Sequence, residues 1–122
     1  MTVREALDAV GTLKPHAYGA EALLRELSRL DGRIMKELWH GRAGAAGELP
    51  NYTEVNAANT ALVAEEPYDL MYLHYLMARI ALWNGEVERY NQYAQLFEEA
   101  YGAYRAWVSR EALWLGGQKL RM

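Results

Sequence analysis

Cysteine is absent from this chain, which removes disulfide scaffolds, thiolate zinc sites and thiol nucleophiles together and points to a reducing compartment. Basic clusters are missing too. Lys and Arg number 13 against 16 Asp and Glu, for a net charge of -3, whereas a protein that holds nucleic acid by neutralising phosphates needs clustered cations. Sequence-specific nucleic-acid binding is therefore not expected. Apolar runs are too short and too interrupted to span a membrane. Arg4 and Glu5 bring charge to the place where a secretory leader needs its apolar run, so a cytoplasmic product is expected. Histidine, the commonest acid–base and metal residue, occurs only three times, which leaves few candidates to weigh.

The chain does carry enough apolar material for one core, with 52% hydrophobic residues over 122 positions beside an ordinary 24% charged. Domains of this size bury roughly two thirds of the surface that their unfolded chains expose. A single folded domain over 1–122 is expected. Nine Tyr and four Trp stand against one Phe. Tyr and Trp carry a polar tip on a large apolar body, which suits half-buried positions and interfaces better than dry cores.

Thr2 and Glu5 form a capping-box pair ahead of Val3, Ala6, Leu7 and Val10, whose three-and-four spacing predicts a first helix over 1–12, ending near Gly11. Pro15 and Gly19 mark a turn. A second helix over 20–40 follows from the stripe Leu23, Leu27, Leu30, Ile34 and Leu38, with Arg25, Arg29 and Lys36 on the other side and Gly32 as its weak point. From 41 to 66 periodicity collapses: Gly41, Gly44, Gly47 and Pro50 interrupt it, and Asn51, Asn56 and Asn59 are turn formers. This reads as one long Gly/Ala/Asn-rich loop, mobile above all from Gly41 to Thr60. Within it Thr60-Ala61-Leu62-Val63 has the composition of a brief extended piece without a visible partner.

Pro67 suits the first position of a third helix over 67–84, with Glu65, Glu66 and Asp69 near its positive end. That helix is apolar nearly all round, which predicts a central position or contact with a neighbouring subunit. A stripe from Leu73, Met77 and Ile80 through Val87, Tyr90, Phe97, Tyr101, Tyr104 and Val108 keeps its phase across Asn84-Gly85. A continuous helix and a break at Gly85 both fit. The break is preferred, because an unbroken helix over this span would reach about 60 Å. A fourth helix over 86–110 and a C-terminal tail over 111–122, released by Gly116-Gly117 and basic at Lys119 and Arg121, complete an all-α bundle of about four helices.

Little of this carries chemistry. Glu37 and His40 have the Glu-x-x-His spacing of di-iron bundles, but no second copy occurs, and Met71 occupies the place three before His74 where a partner acid would stand. His74 on an apolar helix reads as a hydrogen-bonded core histidine. Gly41-Arg42-Ala43-Gly44 lacks the Lys-Ser or Lys-Thr ending of a phosphate loop, and Glu98-Glu99 reads as a solvated face. No catalytic or metal site is assigned, no cofactor is expected, and the reading is a structural or interaction protein rather than an enzyme. The series Tyr90, Tyr93, Phe97, Tyr101, Tyr104 and Trp107 is read first as core and alternatively as subunit contact. Tyr93, Trp107, Trp114, Lys119 and Arg121 are the candidate protein-interface residues.

Three stretches carry a family resemblance. They are Met1-Thr2-Val3-Arg4-Glu5-Ala6-Leu7-Asp8, Leu27-Ser28-Arg29-Leu30-Asp31-Gly32-Arg33-Ile34, and Pro67-Tyr68-Asp69 continuing through Asn84-Gly85-Glu86 and Arg89-Tyr90-Asn91 to Phe97 and Ala100-Tyr101. In their order and spacing the chain resembles the small head-tail connector proteins, also called adaptor or head-completion proteins, of tailed bacteriophages and prophages. The resemblance implies a helical, non-enzymatic subunit, monomeric in solution or joined in a homo-oligomeric ring. The ring would sit beneath the portal protein, lengthen the DNA channel and dock tail or stopper proteins. It implies a place in the bacterial cytoplasm during assembly and at the virion head-tail junction afterwards. An acidic wall would let DNA slide, since it offers phosphates no strong counter-charge. The Gly/Ala-rich stretch Gly41 to Gly47 and the tail after Arg110 depart from the family pattern. The alternative reading is a small helical regulatory or protein-binding module carried on a mobile element.

Overall fold

The structure is a computed structural model that describes the backbone of residues 1–39 and 49–121 and the side chains of residues 1–39 and 49–111. The fold is all-α: α1 spans Val3–Leu13, α2 Ala20–Ile34, α3 Leu70–Asn84 and α4 Val87–Arg121. The capping box at the start of α1 forms as its sequence requires. The Glu5 N–H donates to the Thr2 hydroxyl at 3.1 Å, and the Thr2 N–H donates to the Glu5 carboxylate at 2.7 Å. Val3, Ala6, Leu7 and Val10 are the buried side of that helix. α2 buries Leu23, Leu27, Leu30 and Ile34, then widens into a π-helical turn over Met35–Trp39 that buries Leu38.

The connection from 49 to 69 is irregular, as expected of the long loop, and it is docked on the helical body. Its Asn residues close a turn over 54–59: the Thr53 N–H donates to Asn56 Oδ1 at 2.9 Å, the Asn56 N–H to the Thr53 hydroxyl at 3.3 Å, and Asn56 Nδ2 to the Asn51 carbonyl at 3.1 Å. Tyr52, Ala57, Leu62 and Ala64 are buried. The extended piece does find a partner, in an isolated antiparallel bridge between Ala61 and Thr2. Here the Val3 and Arg4 N–H groups donate to the carbonyls of Thr60 and Ala57 at 2.9 and 3.0 Å, and the Leu62 N–H donates to the Met1 carbonyl at 3.1 Å. The first N–H groups of a helix have no acceptors within it. The connection supplies them, which is why it lies on the body. His40 and the glycines Gly41, Gly44 and Gly47 lie outside the described residues.

α3 begins at Leu70, after a turn that contains Pro67, rather than at Pro67 itself. Its N-cap is Asp69, which makes no side-chain capping bond. At the other end Gly85 adopts φ 76°, and the Gly85 and Glu86 N–H groups return to the carbonyls of Leu82 and Ala81 at 3.1 and 2.9 Å. This left-handed closure ends the helix and reverses the chain. α3 and α4 therefore pack on each other: Tyr75 packs on Phe97 with ring centroids 5.1 Å apart, and Tyr68, just ahead of α3, packs on Tyr104 at 5.6 Å. Val87, counted in the stripe by phase, is 69% exposed because it sits where the chain turns.

The expected tail over 111–122 is corrected. α4 continues to Arg121 with Gly116-Gly117 inside it. A helix-interior glycine costs only about 1 kcal/mol relative to alanine, which a long helix absorbs. α3 is central, one of the two placements expected from its all-round apolarity: it packs on α1, α2 and α4 and buries Met71, Tyr72, Leu73, Leu76 and Ile80.

Candidate functional site

Asp31 shares the apolar side of α2 with Leu27 and Ile34, so the helix carries its carboxylate into the core, where the residue has 0% exposure. Donors from three parts of the chain converge on it. The Tyr72 hydroxyl of α3 donates to Oδ1 at 2.5 Å, and the Tyr52 hydroxyl and the Val63 N–H, the latter at 3.1 Å, donate to Oδ2. The Tyr72 hydroxyl in turn accepts the Ala64 N–H at 2.7 Å. Among the described residues no cation forms an ion pair with Asp31. Burial therefore pushes its carboxyl above the usual carboxylate range, against the opposing effect of the three hydrogen bonds. Burial and the adjacent carboxylate push the Tyr52 and Tyr72 phenols upward, which keeps both as donors.

Two further carboxylates are held by mixed partners. Glu26 of α2, also buried, accepts from the Tyr75 hydroxyl at 3.0 Å and from Arg29 at 3.3 Å, with Arg79 Nε 3.5 Å away. Burial and then Glu26 push Tyr75 up to about 12. Glu37 accepts from Arg33 at 2.9 Å and from the Tyr101 hydroxyl at 3.0 Å, while the Arg33 guanidinium lies 4.5 Å over the Tyr101 ring. The Arg33 hydrogen bond holds Glu37 below the ordinary range. Glu37 is thus committed to a cation and a phenol, and among the described residues no group of three His, Asp or Glu is placed to hold a metal ion.

His74 departs from the expectation of a hydrogen-bonded core histidine. It is half-buried, its Nδ1 has no hydrogen-bond partner among the described residues, and burial pushes its pKa down. Of the interface candidates, Tyr93 and Trp107 are half-buried against the core rather than exposed on a free stripe. The Lys14 ammonium stands 5.6 Å over the Tyr93 ring, itself paired with Glu86 at 2.7 Å. Trp107 packs on Tyr68 and Tyr104 with centroids 5.4 and 6.0 Å apart. Phe97, Tyr101 and Tyr104, from the same series, are buried outright. The side chains of Trp114, Lys119 and Arg121 lie outside the described residues.

Depressions on the described surface include one beside α2 and one at the α3–α4 turn. One, of about 460 Å³, separates Glu21, Leu24 and Arg25 of α2 from Tyr52, Glu54 and Val55. The other, of about 310 Å³, lies at the α3–α4 turn beside Leu82, Val87 and Tyr90. Neither is lined by Asp31, Glu26 or His74. Acid–base work needs the group within hydrogen-bond reach of substrate, and Asp31 instead joins α2, α3 and the 49–69 connection. Sequence reasoning missed Asp31 because an acid in a helix ordinarily faces water. The signal was its phase, which matches Leu27 and Ile34. Comparison of the chain with protein-family models, curated proteins and solved structures returns no match.

Proposed function

We propose that this chain is a head-tail connector subunit of a tailed bacteriophage or prophage, which joins a ring beneath the portal and helps attach the tail. The observation that carries the reading is where the three resembling stretches lie. Val3 and Leu7 of the first, Leu27, Leu30 and Ile34 of the second, and Tyr72, Phe97 and Tyr101 of the third belong to one buried cluster. The Asp31–Tyr72 hydrogen bond ties the second stretch to the third. Their order and spacing thus correspond to a single packing unit rather than to scattered local likenesses. The acidic balance of the chain, -3 overall, is compatible with a channel wall past which DNA slides.

Deletion of the gene from its phage or prophage tests the reading. Filled heads and free tails should accumulate unjoined, and purified protein added to the lysate should restore complete particles. Joined particles at wild-type yield from the deletion strain would sink the connector reading in favour of the small protein-binding module.

A further inference from the structure

Residues 51–64 differ from the helices in how they are held. The segment keeps its own turn through the Thr53, Asn56 and Asn51 bonds, which involve no other element. Its links to the helical body form two groups, three backbone bonds to Met1, Val3 and Arg4 at the start of α1 and a second set that converges on Asp31. The Tyr52 hydroxyl and the Val63 N–H both donate to Asp31, and the Ala64 N–H donates to the Tyr72 hydroxyl, which itself donates to Asp31. One further bond, from the Tyr52 N–H to the Ser28 hydroxyl at 2.9 Å, completes its attachment to α2. Two of its four buried hydrophobic residues are alanines, Ala57 and Ala64, so Tyr52 and Leu62 supply most of its apolar anchorage. The cleft of about 460 Å³ undercuts it beside α2, at Tyr52, Glu54 and Val55.

We propose that residues 51–64 form a strap that opens from the helical body as a unit, with the Asp31 carboxylate as its latch. Segments with few apolar contacts open locally at lower free energy than the packed helices around them. Loss of the carboxylate contacts releases Tyr52 at one end of the strap and Val63 at the other, and frees the Tyr72 hydroxyl that holds Ala64, while the internal turn persists. Opening also strips the Thr60 and Ala57 carbonyls from the Val3 and Arg4 N–H groups, so the first turn of α1 loosens with the strap. The device gives the subunit a reversible way to uncover the apolar faces of α1 and α2 while the α3–α4 hairpin stays folded. It stands independently of the connector reading.

Native-state amide hydrogen exchange on the full chain tests it. In the wild type, Val63 and Ala64 should exchange together and faster than Leu76 and Ile80 of α3, with Val3 and Arg4 opening in step. Asp31→Asn should speed those four amides by about tenfold or more, the effect of weakening hydrogen bonds to a charged acceptor, and should speed Leu76 and Ile80 at least as much, because their exchange also breaks the Asp31–Tyr72 bond. Tyr52→Phe, which removes one donor and keeps the ring, should give a smaller acceleration of the same four amides. Exchange of Val63 and Ala64 in the wild type only at the rate of Ile80 would overturn the strap, whatever the variants do. Acceleration of Leu76 and Ile80 by Tyr52→Phe with Val63 and Ala64 unchanged would overturn the latch, since the Tyr52–Asp31 bond would then survive strap opening.

Discussion

Asp31 and Tyr72, separated by 41 positions in the chain, share a 2.5 Å hydrogen bond in the buried centre of the protein. The pair decides how α2, α3 and the strap fit together, because the same hydroxyl also accepts the Ala64 N–H. Removing that hydroxyl leaves a carboxylate oxygen and a backbone N–H short of partners. Tyr72→Phe should cost about 1.5–3 kcal/mol, the range for hydrogen bonds to charged groups, measured by urea denaturation with an unchanged slope. A loss below about 0.5 kcal/mol would show that the core compensates fully.

The buried carboxylate also sets a sign for pH dependence. Its folded pKa is raised, so the folded state takes up a proton more readily than the unfolded chain does. The cost of burying the ionised form is present above the folded pKa and is relieved as pH falls through it towards the unfolded value of about 3.9. Wild type should therefore gain stability relative to Asp31→Asn on acidification from neutral pH towards about 4. Denaturant titrations across that window that show the gap moving the other way would contradict the assignment.

His74 acts in the opposite direction. Burial lowers its folded pKa, so the unfolded chain binds the proton first, and stability is lost as pH falls below the unfolded value of about 6.5 towards the folded one. His74→Gln removes this titration and should flatten the stability profile just below about pH 6.5. An unchanged slope there would mean that His74 is solvated in the native state.

Two glycines should respond with opposite signs. Gly85 sits at φ 76° with open space around it, so Gly85→Ala meets backbone strain rather than a clash and should lose roughly 1–2 kcal/mol. Gly102 lies inside α4, also with no atom within 4 Å of an added Cβ, and Gly102→Ala should gain about 0.5–1 kcal/mol. Melting temperatures that moved in the same direction for both would contradict the hairpin geometry.

Trp107 distinguishes core from interface. Packed on Tyr68 and Tyr104 but only half-buried, it should lose about 2–3 kcal/mol as Trp107→Ala, below the ~3–5 kcal/mol of fully buried aromatics. A variant within about 0.5 kcal/mol of wild type would return the residue to the list of free surface anchors.

Much of the fold was legible along the chain because its signals are local. The Thr2–Glu5 capping box, the α2 stripe and the all-round apolarity of α3 each depend on residues a few positions apart, and each appears where periodicity and capping chemistry place it. The break at Gly85 was half-legible. Periodicity ran through it, because Leu73, Met77 and Ile80 before the turn and Phe97, Tyr101 and Tyr104 after it all enter one buried cluster.

Tertiary structure alone decided the rest. An Asn-rich stretch reads as a loop, yet docking it satisfies the N–H groups of α1, a debt that no local pattern records. Gly85 stops a helix while Gly116-Gly117 lies within one, since glycine permits a left-handed cap without compelling it. Tyr93 and Trp107 follow the same rule: their spacing assigns them to one side of α4, but whether that side meets solvent or core depends on elements distant in sequence. Asp31 is the sharpest case, because its phase on α2 was written in the chain, while the donors that make its burial tolerable come from Tyr52, Val63 and Tyr72.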